Sequence, residues 1–173
     1  MAWGTFAAVP APNNLVAGRV GGYTRWVTYL NPTTLVPEGM QKQIMLYNAS
    51  GATLKGQVVR VERDGDAELD PKTADVTAQT VDQFYAVARS IVADLTWDWF
   101  IVEGPAQALV DGVTTDVAKD DYLKMTTATS ATALTSDGTA TLTADSLAIA
   151  CEANTGAGAL KKVILLGMTK DAD

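Results

Sequence analysis

What most constrains the fold is punctuation. From Gln41 onward, short runs of β-branched, aromatic and aliphatic residues alternate with Gly, Asn, Asp and Pro at intervals too close for long helices. The clearest runs are residues 43–47, 53–62, 97–104, 106–112, 139–143, 146–152 and 161–167. Ala, Thr and Val recur while Lys and Glu are sparse, which favours strands over solvated helices. The pattern predicts a mainly β chain, a compact β-barrel or sandwich of short antiparallel strands.

Within it, residues 43–47 and 53–62 read as a hairpin joined at Asn48-Ala49-Ser50-Gly51. Val59 and Val61 would face one way and Arg60 and Glu62 the other, as in a sheet with one wet face. Residues 64–80 are polar, and Pro71 bars a central strand, so an exposed loop is expected. The stretch 81–95 has two readings. Val81, Phe84, Tyr85, Ala88, Ile91, Val92 and Leu95 fall at helical spacing behind the capping-box form Thr80-Val81-Asp82-Gln83, while the rival is a strand over 84–89 and a turn. Gly104-Pro105 separates the runs 97–104 and 106–112 as two strands. Residues 126–133 are low in complexity, a mobile surface loop or a Thr-rich edge strand.

Residues 1–40 show no sustained period and read as an extended N-terminal arm, with the barrel-like domain over 41–173. The arm carries Trp3, Phe6, Tyr23, Trp26 and Tyr29. Aromatic rings contribute mainly when buried, so these are candidate partner-binding residues, packed either on a partner subunit or on the chain's own barrel.

At 173 residues the chain suits one core with an extension, and 47% apolar against 19% charged residues is enough to fold. The net charge of −7 lacks the clustered cations that phosphates require, so no nucleic-acid partner is expected. Lys161-Lys162 reads as a solvated strand end. Apolar runs are too short to span a bilayer and no secretory signal begins the sequence, which predicts a soluble, cytosol-made protein without a membrane partner. Cys151, the single cysteine, excludes an internal disulfide and would share a buried strand face with Leu147 and Ile149.

Histidine is absent, which removes histidine triads, Cys-His dyads and His-liganded metals. There is no Gly-x-Ser-x-Gly elbow, Ser-x-x-Lys pair or phosphate loop, and Gly156-Ala157-Gly158 lacks the third glycine of a dinucleotide fingerprint. Asp94, Asp98 and Glu103 near Trp97 and Trp99 have the composition of a glycosidase site, but Asp98 reads more simply as the outward residue between two inward tryptophans. Asp64, Asp66, Glu68 and Asp70 alternate like calcium ligands. The glycine of that loop is replaced by Leu69 and its terminal Glu by Asp75, so a solvated acidic turn is expected. Asp116, Asp120 and Asp121 read the same way. No enzyme activity, cofactor or metal is expected.

Several segments together resemble small structural proteins of tailed bacteriophages. They are Asn48-Ala49-Ser50-Gly51-Ala52-Thr53-Leu54-Lys55-Gly56-Gln57-Val58-Val59-Arg60-Val61, then Ala86-Val87-Ala88-Arg89 with Ile91, then Trp97-Asp98-Trp99-Phe100-Ile101-Val102-Glu103-Gly104-Pro105-Ala106, and Asp121-Tyr122-Leu123. The resemblance spans residues 41–167 and rests on order and spacing. It departs at Trp97-Asp98-Trp99, where such proteins tend to have glycine before the aromatic residue. What it implies is a capsid decoration (cement) protein: a homotrimer on the outer capsid surface of the virion, made in the host cytoplasm, holding major capsid protein subunits together by contact alone. It also implies a strand over 84–89 and a turn over 90–95. A carbohydrate-binding module using Trp97 and Trp99, a tail or fibre component, and a small enzyme using the Asp cluster are the alternatives.

Overall fold

The protein's structure, a computed structural model, describes residues 24–48, 52–63, 69–73, 84–125, 133–138, 141–143 and 146–167. Ten strands, and no helix among the described residues, make up the fold. They are β1 (Thr24–Leu30), β2 (Pro37–Asn48), β3 (Val58–Arg63), β4 (Leu69–Thr73), β5 (Phe84–Ala88), β6 (Thr96–Val110), β7 (Tyr122–Met125), β8 (Leu134–Ser136), β9 (Ala148–Ala150) and β10 (Ala159–Leu166).

The long strand β6 organises the molecule. Its 15 residues extend over about 50 Å, long enough to serve two sets of neighbours. The first half pairs antiparallel with β2 on one side and with β5 on the other, where Val87 and Ala88 oppose Ile101 and Phe100. The second half pairs with β10, from Glu103 opposite Leu166 to Val110 opposite Ala159. From β10 the order runs β9, β7, β8 and back to β6, so these five strands close a barrel. Among the described residues only the β6–β8 seam is parallel, at Val110 and Leu134.

Both faces of β5 and of the middle of β6 are dry. Ala106, Ala108, Val110, Leu123, Leu134, Ala148, Ala150, Val163 and Leu165 fill the barrel, where alanines suit the narrow bore of five strands, and Val58, Tyr85, Val87 and Ile101 continue that core beyond it. A second core, Ile44, Leu46, Val59, Ala86, Ala88, Val92, Phe100 and Val102, lies on the opposite face of the sheet. The period of two explains the split: Val87 enters the first core while Ala86 and Ala88 enter the second. Each fully buried Val, Leu or Phe side chain contributes about 1.5–3 kcal/mol, so neither core is dispensable.

Several expectations hold and several are corrected. The chain is mainly β and barrel-forming, and 84–88 is a strand followed by a turn. That turn is fixed from β2. Buried Asn48 donates from Nδ2 to the carbonyls of Val92 and Ala93 at 3.3 and 3.1 Å, and its own carbonyl accepts from Leu95 N at 2.7 Å. The 43–47 with 53–62 hairpin does not form: β2 pairs with β1 and β6, and β3 with β4 and β5. At the start of β3 both faces are buried, since Val58 and Val59 are each at 0% exposure, while the Arg60 and Glu62 side chains expected on a wet face lie outside the described ones. Within the expected 64–80 loop, Leu69–Thr73 is a strand at the end of the sheet path. Pro71 sits opposite Val61, and an edge position is where a ladder tolerates a missing N–H.

Gly104-Pro105 does not break β6. Gly104 takes φ +87°, and β2 and β6 slip register beside it, between Lys42 and Gln43. The pair is therefore a bend that turns one strand from the second core into the barrel. The arm boundary at residue 41 falls inside β2, because β1 and the start of β2 already form a ladder. The phase at Cys151 is inverted: Ala148 and Ala150 point inward, Ile149 is half-buried, and half-buried Cys151 follows the strand. Residues 141–143 form no strand, while β7 and β8 have no counterpart among the expected runs.

Candidate functional site

The β1–β2 connection is a rigid loop that displays apolar side chains. Asn31 Oδ1 accepts from Thr33 N and Thr34 N at 2.9 and 3.0 Å, Leu35 N donates to Asn31 O at 2.8 Å, and Asn31 N donates to Val36 O at 2.9 Å. Asn31 Nδ2 reaches Glu38 Oε1 at 2.8 Å, and Lys162 on β10 pairs with Glu38 Oε2 at 2.6 Å. Lys162 is therefore a clasp holding the hairpin to the barrel, which corrects its reading as a solvated strand end. The clasp holds Glu38 below and Lys162 above its ordinary pKa, each chiefly through their shared hydrogen bond. On this frame Leu35 adopts φ +57° and stands 68% exposed, beside exposed Val36, Met40 and Leu30. A branched aliphatic residue in left-handed backbone facing water is a local cost without local benefit.

Of the aromatic candidates, Trp3, Phe6 and Tyr23 lie outside the described residues. Tyr29 is buried at 9% exposure against the chain itself, with Lys162 and Glu38 among the charges it senses. Burial raises its pKa, and its hydroxyl has no hydrogen-bond partner among the described residues. Trp26 is 53% exposed and available to a partner.

Between the hairpin and the turns at Lys55 and Arg89 opens a cleft of about 390 Å³. Arg25, Val27, Tyr29, Gln41, Gln43 and Ile101 form one side of it, with Lys55, Arg89 and Gln107 among the rest. Register explains the convergence, because Arg25 opposes Gln43, Val27 opposes Gln41, and Gln43 opposes Ile101, which puts these side chains on one face. Arg25 Nε donates to Gln43 Oε1 at 2.9 Å, Gln43 Nε2 to Gln41 Oε1 at 2.6 Å, and Gln41 Nε2 to Pro105 O at 2.8 Å. The Arg25 guanidinium also lies 3.9 Å from the centroid of the Trp99 ring, a cation–π arrangement.

Trp97 and Trp99 are half-buried on this same side of β6, with Trp97 tilted against Tyr47 at 5.2 Å between centroids. Asp98 is not a free outward residue. It sits 3.6 Å from Arg89 Nη2, accepts from Ser90 Oγ at 3.2 Å and from Trp99 N at 2.6 Å, and so staples the turn to β6. Asp98 and Glu103 stand about 16 Å apart along the extended strand, too far to act as a glycosidase pair. Asp121 Oδ2 accepts from Ala118 N and Ser136 Oγ at 2.9 and 3.0 Å, a structural role. Of the proposed calcium ligands, Asp64, Asp66 and Glu68 are outside the described residues and Asp70 lies in β4. Among the described residues no three acidic or cysteine side chains gather as a metal would need.

A second polar cluster is centred on Asp137. Its Oδ2 accepts from Thr143 Oγ1 at 2.6 Å and Ser146 Oγ at 3.3 Å, and its Oδ1 pairs with Lys124 Nζ at 3.1 Å. The Thr143 hydroxyl first, then Lys124, hold this carboxyl below its ordinary pKa. A depressed folded-state pKa contributes stability above the unfolded value, which is lost as pH falls through the folded one. The melting temperature should therefore drop below about pH 4, and Asp137→Asn should be less stable at neutral pH with a shallower acid limb. Thermal melts across pH 2–7 check this, and identical slopes for both proteins would refute it.

The cleft residues Arg25, Gln41, Gln43, Lys55 and Arg89 were not legible as a site in the sequence. Only the Gln41-x-Gln43 alternation on a strand hinted at a polar face turned inward. Comparison with known protein families, with curated proteins and with solved structures finds no match.

Proposed function

We propose that the chain is a structural protein acting through protein–protein contact, as a decoration protein on the outside of a tailed-phage capsid, where an oligomer, a trimer in the simplest case, bridges major capsid subunits. The observation that carries this reading is the β1–β2 hairpin, its turn hydrogen-bonded around Asn31 and tied to β10 by Lys162, presenting Leu30, Leu35, Val36 and Met40 to solvent. A stiff apolar prominence loses little entropy on docking. Repetition across a shell multiplies modest single contacts into avidity. The lack of histidine and the resemblance over residues 41–167 support the same reading. A sugar-stacking platform is the weaker alternative, since the Trp99 ring already carries the Arg25 guanidinium.

The test is native isolation from the source cell, followed by electron microscopy and cross-linking. The protein should lie on the outside of an icosahedral particle, and Leu35→Asp with Val36→Asp should detach it without changing its melting temperature. A free monomer, or density on a tail, would overturn the assignment to the head. The arm's role is tested by removing residues 1–22. A cut at residue 29 would instead take away β1 and half of a ladder.

A further inference from the structure

We infer that the cleft bounded by Arg25, Lys55 and Arg89 is a binding site for an oxyanion, the shared chemistry of carboxylates and phosphates. The inference is independent of the capsid reading. The chain carries 20 acidic against 13 basic residues, yet this cleft is lined by three cations and by no Asp or Glu. Lys55 has no ion pair among the described residues, and Asp98, the carboxylate beside Arg89, is engaged with Arg89, Ser90 and the Trp99 amide. Asp98 already offsets Arg89, so the charges left for a ligand are chiefly those of Arg25 and Lys55, whose repulsion a bound anion would relieve.

The site is also built. Gln41 and Gln43, at 5% and 3% exposure, form a one-way relay in which each amide oxygen accepts and each amide nitrogen donates, ending on the Pro105 carbonyl. Its open end is the Gln43 oxygen, which takes Arg25 Nε and leaves the two-nitrogen edge of the guanidinium for a ligand. The Trp99 ring fixes the plane of that fork. The two buried amides satisfy the Pro105 carbonyl at one end and aim Arg25 at the other, neither of which packed aliphatic side chains would do. Burial and then the neighbouring Arg89 lower the Arg25 pKa, in keeping with a guanidinium held near a like charge. The volume is at the small end of ligand clefts and suits a compact anion of more than one charge.

Calorimetric titration of the full chain with citrate and with pyrophosphate, at low ionic strength, tests the site. Saturable binding at one site per chain is expected for at least one of them. Citrate alone would identify a carboxylate source, and pyrophosphate alone a phosphate source. Lys55→Ala, at an exposed position with no ion pair among the described residues, should weaken binding about tenfold at an unchanged melting temperature. Arg25→Lys, which keeps the charge but loses the fork and the stacking, should weaken it as well. No saturable binding of either anion, or binding unchanged in both variants, or equal competition by chloride, would overturn the site.

Discussion

Gly104→Ala should destabilise the protein by about 3 kcal/mol or more, enough to leave much of a marginally stable chain unfolded. Two costs combine. The backbone there is at φ +87°, a region alanine occupies only with strain, and a methyl group would collide with the Met40 carbonyl oxygen of the neighbouring strand. Relaxing either requires β2 to move off β6, where the register already slips at Lys42 and Gln43. Denaturant unfolding of the purified variant checks the expectation, and a loss under about 1 kcal/mol would mean the bend is softer than its contacts imply.

Phe100→Ala should cost about 3–5 kcal/mol, as expected for a large aromatic removed from a fully closed site. Phe100 is at 0% exposure in the second core, yet it belongs to the strand whose later residues line the barrel. The more telling outcome is cooperativity. Leu123→Ala empties the other core and should cost about 2–5 kcal/mol. Because β6 serves both cores, each variant should still melt in a single transition followed alike by tryptophan fluorescence and far-ultraviolet dichroism. Two separated transitions in either one would mean that the cores are independent units.

Strand content was readable from residue type and turn spacing, but residues 84–88 carry helical periodicity, and only the resemblance to phage structural proteins implied the strand found there. What failed was partner and phase. Gly104-Pro105 signals a stop when only local chemistry is weighed, but Pro105 lies opposite Ile164 and the ladder passes through it. The run 43–47 meets a turn signal and a second run, and still pairs with a strand about 50 residues away, because burying Ile44 and Leu46 in the core that holds Phe100 outweighs local closure. Around Cys151 the alternation was seen but assigned to the wrong side, since the barrel bore accepts Ala148 and Ala150 where the larger Ile149 does not fit. The cleft was invisible for a related reason: Arg25, Lys55 and Arg89 come from separate elements, and only the strand register brings them together.

The closing seam of the barrel joins β6 to β10, a strand made more than 40 residues later. The barrel therefore cannot close until the late part of the chain is present. Topology of this kind folds in milliseconds to seconds, not microseconds. During that interval the unpaired rims of β6 and β9 are sticky templates for neighbouring chains. Rapid overproduction at high temperature should thus favour inclusion bodies, and slower synthesis in the cold should favour a soluble product.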